Sequence, residues 1–237
     1  MYTHFPDTNT SQIVDLHKIY KEYFDEKKDG FFVEVGAYDG YRWSNTLSLI
    51  ESHWSGIMIE PIDKYYNSCV DRYRDNDKIE VSNCCIGWEN QTSKKVYFGG
   101  PCTTIMEEMI PIYNQTDPTD NHSIDNYEVR DMFTLDRFLE DKKVKKNFEV
   151  LCVDVEGAEW KILEVFDLEK WRPKMAIVET HEKHPEKLKR ESGCSSEIND
   201  YFSKQEYRKI HTDWVNSIYV DKRIWSLYEN SRVSIRS

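Results

Sequence analysis

"FFVEVGAYDG", residues 31–40, is the stretch that decides the fold. Phe31, Phe32, Val33 and Val35 form the apolar run expected of a strand buried on both faces of a parallel sheet. Gly36 and Gly40 then let the chain turn tightly. Glu34 interrupts the run. A lone buried carboxylate costs several kcal/mol unless something pairs with it, so this acid is expected at the strand's end, waiting for a partner. The turn reads Glu-x-Gly-x-x-x-Gly, not the Gly-x-Gly-x-x-Gly of a dinucleotide loop. A pyrophosphate seeks bare amides at a helix N-terminus, and Glu34 and Asp39 would repel it. They favour a ligand that is cationic or rich in hydroxyl and amine donors.

Outward from this stretch, apolar runs alternate with helical periodicity. "SQIVDLHKIYKEYF" places Ile13, Leu16, Ile19, Tyr20 and Tyr23 at helical spacing, and "WSNTLSLIESHW" does so with Trp43, Leu47, Ile50 and Trp54. "SGIMIEP" reads as a second strand, "KYYNSCVDRYRD" as a helix and "KIEVSNCCIG" as a third strand with its loop. Residues 99–128 show little periodicity and are expected to be an ordered insertion or a lid. "TLDRFLED" opens a helix with Thr134 as its cap. "FEVLCVDVEGAEWKILEVF" gives a strand, turn and helix, "KMAIVETH" a strand, and residues 182–205 helix, loop or both. "EYRKIHTDWVNSIYVDK" reads as two strands joined at "HTD", an antiparallel pair at a sheet edge.

The expected architecture is therefore one α/β domain over 1–237, Rossmann-like. It holds a seven-stranded, mostly parallel sheet with an antiparallel edge and helices on both faces. Its expected parts are a helical extension at 1–29, a cofactor-binding half at 30–98, the insertion at 99–128, a catalytic half with the edge hairpin at 129–222, and a tail at 223–237.

A formal net charge of −11 repels polyanions and makes nucleic acid an unlikely main partner. The run "KKVKK" at 142–146 reads as a solvated loop or helix end rather than a phosphate-binding face. None of the six cysteines forms a Cys-x-x-Cys pair. "MYTHFPDTNT" lacks the features of a signal peptide, and no stretch approaches 18 apolar residues. These features lead us to expect a reduced, cytoplasmic setting without a membrane span.

In such a sheet, ligands bind outside the carboxyl ends of the strands, where strand order reverses. The out-of-place polar residues fall at those ends: Glu34 after the first strand, Glu60 after the second, Asp154 and Glu156 after the fourth, Glu179 and His181 after the fifth. Glu60 stands where nucleotide-binding folds place an acid for ribose hydroxyls. Capping of the helix after Pro61 is its other open reading. Asn83, Cys84 and Cys85 follow the third strand, where an adenine edge would lie, or are ordinary loop and core. S-adenosylmethionine, with a sulfonium, an α-amino group and a ribose diol, suits this set of acids.

Five blocks, "FFVEVGAYDGYRWSNT", "HWSGIMIEPIDKYYN", "TLDRF", "LCVDVEGAEWKIL" and "MAIVETH", resemble successive blocks of the FkbM-type methyltransferases, and "NSIYV" resembles their closing strand. The resemblance covers roughly residues 30–182, and Asp154 to Glu159 is its most specific part. It implies a class I methyltransferase fold and S-adenosylmethionine as cofactor. The acceptor it implies is a small molecule or carbohydrate, O-methylated at a hydroxyl.

The expected cofactor contacts are Glu34, Gly36, Ala37, Asp39, Gly40, Asn45, Glu60, Pro61, Cys84 and Asp154. The catalytic candidates are His181 as base, with Asp154, Glu156 and Glu179 around it. His181 as a cap of "HEKHP", beside His184, stays open, and Glu159 is expected on the surface of a helix beginning at Gly157. A divalent metal held by Asp154, Glu179 and His181 is a further, less favoured possibility. Tyr38, Tyr41 and Trp43 read as ring-stacking groups or as packing. A nicotinamide oxidoreductase lacks its glycine loop here. A non-catalytic ligand- or protein-binding module and a nucleic-acid methyltransferase remain the alternatives.

Overall fold

The computed structural model of the chain describes residues 5–24, 27–116, 122–183 and 195–224. Its strands are β1 (Phe31–Val35), β2 (Ser55–Ile59), β3 (Ile79–Ser82), β4 (Cys85–Gly87), β5 (Gln91–Tyr97), β6 (Tyr127–Thr134), β7 (Val150–Val153), β8 (Met175–Glu179), β9 (Tyr207–Thr212) and β10 (Asn216–Asp221). Its helices are α1 (Leu16–Phe24), α2 (Leu47–Glu51), α3 (Asp63–Tyr73), α4 (Ile110–Thr116), α5 (Leu135–Asp141), α6 (Glu159–Leu163), α7 (Leu168–Trp171) and α8 (Ser195–Lys204).

The main sheet runs β3-β2-β1-β7-β8-β10-β9. All its pairings are parallel except those of β10, which is antiparallel to both β8 and β9. This is the Rossmann-like arrangement expected from the sequence, and order reverses between β1 and β7. Alternate side chains enter opposite layers. Val33, Val35, Ile57, Leu151, Val153 and Val178 pack with α5, α6, α7 and α8. Phe32, Met58, Val150, Cys152 and Ile177 pack with Phe5, α1, α2 and Trp54. Helices therefore cover both faces.

The structure corrects several local expectations. "KIEVSNCCIG" holds the expected third strand, but the part expected as its loop forms a further strand. It divides between β3 of the main sheet and β4 of a second sheet of order β4-β6-β5. The segment from 99 carries two 3-10 turns (Gly100–Cys102 and Glu107–Met109) and α4, and β6 begins at Tyr127, so the second sheet crosses the division drawn at 128. Trp43 lies outside α2, half exposed and at φ +57, because that helix is one short turn starting at Leu47. Thr134 does cap α5, accepting from Arg137 N at 3.3 Å. The basic run at 142–146 follows the end of α5, where Lys142 pairs with Glu80. Among the described residues, no helix is long and apolar enough to cross a membrane. His184, Cys194 and most of the expected tail lie outside the described residues.

Candidate active site

Glu34 is the fourth of β1's five residues, not its end, and it is 3% exposed. It lies on the face shared with Phe32, opposite Met58 and Cys152 of the neighbouring strands. The loop that returns over the strand end supplies its partners: Thr46 Oγ1 donates to Oε2 at 2.8 Å and Ser44 Oγ to Oε1 at 3.4 Å. Ser44 Oγ also accepts from the amides of Thr46 and Leu47 and so caps α2 in place of Thr46. Burial outweighs these hydroxyls and pushes the Glu34 carboxyl up to about 8.

Gly36 turns the chain at φ +89, and a Cβ there would come 1.7 Å from the backbone oxygen of Asp154. Only glycine permits that approach between the ends of β1 and β7. Glu60 fastens the same turn to β2: Oε2 accepts from Tyr38 N at 2.9 Å and Oε1 from Ile62 N at 2.8 Å. It holds the amide of Ile62 just ahead of α3 and does not cap that helix's first turn, and it lines the cleft. Burial raises it to about 8, against the two amide bonds that favour its anion.

Asp39 and Gly40 do not line the cleft. Asp39 folds back on its own loop, accepting from Tyr41 N and Arg42 N. Gly40 gives its carbonyl to Tyr73 OH on α3. Both residues shape the turn from behind.

The cleft, about 890 Å³ and open to solvent, lies over the carboxyl ends of β1, β2 and β7. Its lining includes Glu34, Gly36, Ala37, Asn45, Glu60, Pro61, Cys84 and Asp154 of the expected cofactor set, and Glu156 of the catalytic one. Two further walls complete it, the first of them not foreseen. Gln12 enters from the segment before α1, where its Oε1 accepts from Asn45 Nδ2 at 3.1 Å and Asn216 Nδ2 at 2.9 Å. Ser11 Oγ donates to Asn45 Oδ1 at 2.9 Å, and Tyr20 OH donates to the Asn45 carbonyl. Ile86 and Val96 of the second sheet, with Gly100, Pro101, Thr103, Thr104 and Ile105 of the insertion, line the opening as well. Tyr38 meets Trp43 and Tyr65 with tilted rings, and Tyr65 stacks on Phe98, so these rings form one aromatic wall.

The acids beyond β7 and β8 converge. Asp154, Glu159 and Glu179 have oxygens within 4.8 Å of one another, and Glu156, Glu179 and His181 form a second such group. The Asp154, Glu179, His181 trio is thus divided between two clusters that share Glu179. Glu156 and His181 both lie in left-handed backbone, at φ +57 and +46, a strained state for side chains of this size. Tyr113 OH donates to Glu156 Oε2 at 2.8 Å, and Thr104 Oγ1 to the Glu156 carbonyl at 2.7 Å, so the insertion holds this residue in place. His181 Nε2 is 2.9 Å from Glu179 Oε1, and neither of these two residues lines the cleft.

Glu159 is a correction. It is 3% exposed, not on a surface, and its carboxylate accepts from the amides of Val155 and Gly157. Burial, then the neighbouring Glu159, lifts Asp154 to about 6. Burial first, then the surrounding carboxylates, holds Glu156 and Glu179 well above the usual range.

Comparison with curated protein sequences returns no match. Solved structures of similar shape include the METTL16 methyltransferase domain, with TM-score 0.49, 11% identity, and 90% of this chain and 68% of that one covered. TrmK of M. capricolum, in complex with S-adenosyl-homocysteine, gives 0.43, 8%, 89% and 67%. Precorrin-6y C5,15-methyltransferase of Geobacter metallireducens gives 0.42, 9%, 86% and 85%. Membership is decided by sequence rather than by these distant likenesses. The profile of the methyltransferase FkbM domain matches residues 34–209, most of the chain. The chain belongs to the FkbM methyltransferase domain family.

Proposed function

We propose that the chain is an S-adenosylmethionine-dependent O-methyltransferase acting on a hydroxyl of a sugar or other small metabolite. The observation that carries the reading is buried Glu60. It stands at the end of β2, lines the cleft, and faces a glycine turn that leaves room for a ligand. Its two oxygens each hold one amide and keep acceptor capacity for a ribose diol. Asn45 and Gln12 would meet the methionine end, and Cys84 and the Tyr38–Tyr65 wall the adenine.

In the reaction, the acceptor oxygen attacks the methyl carbon in line. The carbon–sulfur bond breaks with its electron pair going to sulfur, and the acceptor's proton leaves to a base. Asp154 and Glu156 line the cleft and take that role in place of His181, which does not line it and pairs with Glu179. Carboxylates at this end suit an acceptor that donates hydrogen bonds and disfavour anionic ones. Acceptor choice is assigned to the insertion, which supplies Thr103, Thr104 and Ile105 to the cleft. A reducing, cytoplasmic setting belongs to the proposal. It is supported by free thiols at Cys69, Cys84, Cys85, Cys102 and Cys152.

Calorimetric titration with S-adenosylhomocysteine, beside NAD, tests the cofactor. Wild type is expected to bind in the micromolar range and Glu60→Gln at least tenfold more weakly, about 1.4 kcal/mol. Binding of NAD with no response to S-adenosylhomocysteine refutes the reading. Silence toward both from folded protein leaves a non-catalytic binding module.

A further inference from the structure

Glu156, Glu179 and His181 come from the ends of two neighbouring strands and stand around one point. Each offers one ligand atom, all within 4.8 Å of one another. Ligands about 2.1 Å from a shared divalent ion are about 3 Å apart when adjacent and about 4 Å apart when opposite. His181 Nε2 and Glu179 Oε1, at 2.9 Å, have the adjacent spacing.

A second observation concerns Glu179 itself. The residue is 3% exposed, and its Oε2 has no hydrogen-bond partner among the described residues. Its neighbours are the carboxylates of Asp154, Glu156 and Glu159, which donate nothing while ionised. An oxygen so placed needs a proton or a cation.

We propose that Glu156, Glu179 and His181 bind a divalent transition-metal ion in the wall of the cleft. A dication offsets the charge of the two ligating carboxylates in a buried cluster that also holds Asp154 and Glu159, and it relieves the repulsion among them. A mixed carboxylate and imidazole set suits Mn²⁺, Fe²⁺ or Zn²⁺ better than the all-oxygen preference of Ca²⁺. Outer partners already fix the ligands. Tyr113 holds Glu156, and Glu159 holds the 155–157 turn through the amides of Val155 and Gly157. Because Glu156 also lines the cleft, an ion there would border the space for an acceptor and acidify a hydroxyl bound to it. Asp154 is then the carboxylate left to take the proton.

The other described cluster, Asp7, Asp15 and His17, is largely exposed, and its charges are met by Lys18 on Asp15 and His17 beside Asp7. It carries no proposal and serves as the control.

The test is a Mn²⁺ titration of the chelator-treated full chain, followed by electron paramagnetic resonance and calorimetry. Parallel titrations use Glu179→Gln, His181→Ala, Glu156→Gln and Asp15→Asn. One site tighter than about 100 μM is expected, weakened at least tenfold by each of the first three changes and unaltered by Asp15→Asn. Near-ultraviolet circular dichroism of each variant establishes folding. A site that Glu179→Gln and Glu156→Gln both leave intact in folded protein overturns the proposal, as does no site tighter than about 1 mM in wild type. S-adenosylhomocysteine binding, measured on the same samples, keeps failure of the metal site distinct from failure of the cofactor reading.

Discussion

Glu34→Gln gives a pH-dependence that follows directly from burial. In the unfolded chain this carboxyl titrates at its ordinary 4.5, whereas burial in the fold pushes it up to about 8. Between those limits the folded protein keeps a proton that the unfolded chain has lost. Stability therefore falls as pH rises through this window, by about 1.4 kcal/mol per pH unit and about 5 kcal/mol in all. Glutamine keeps an oxygen for Thr46 Oγ1 but has nothing to titrate. Glu60 is raised in the same direction, but its contribution is common to wild type and variant and drops out of the difference. Urea denaturation of both proteins at several pH values from 5 to 8, at fixed ionic strength, measures it. The variant should be the less pH-sensitive of the two, and its advantage should grow toward pH 8. Parallel profiles across that range would show that Glu34 is ionised in the fold, and the burial argument would be wrong.

Gly36→Ala should disable the turn, because a Cβ would overlap the Asp154 carbonyl oxygen in a backbone conformation at φ +89. A loss of about 2 kcal/mol or more is expected in denaturation, with S-adenosylhomocysteine affinity down at least tenfold; near-wild-type values for both would contradict the close approach. Gln12→Ala removes the oxygen shared by the amides of Asn45 and Asn216. It should cost about 1–3 kcal/mol, read from the urea midpoint, and an unchanged midpoint would mean that the segment before α1 does not anchor the cleft.

The parallel core was legible because its strands are short apolar runs closed by glycine, proline or acid, and they pair as such runs should. The second sheet was not. β4 is only three residues long, and β5, "QTSKKVY", is mostly exposed and polar, so neither carries a hydrophobic signal. β6 does alternate in burial along "YEVRDMFT", but only weakly. The acids near the site were visible as chemical misfits in apolar runs, but their partners were not, since hydrogen bonding is set by tertiary approach. Asp39 could have been assigned to the loop from the Asp-Gly turn signal that follows it. Glu159 was misplaced because the helix was started at Gly157. It starts at Glu159, whose carboxylate folds back onto the amides of Val155 and Gly157 in the preceding turn. Gln12 gave no signal at all, as a lone polar residue in an aperiodic segment.

The placement of the cofactor is tested most directly by a crystal structure of the chain with S-adenosylhomocysteine. The ribose diol is predicted within hydrogen-bond distance of Glu60, the amino-acid end near Asn45 and Gln12, and the sulfur facing Asp154 and Glu156. A ligand bound in the reverse sense, or outside the cleft over β1, β2 and β7, would contradict it.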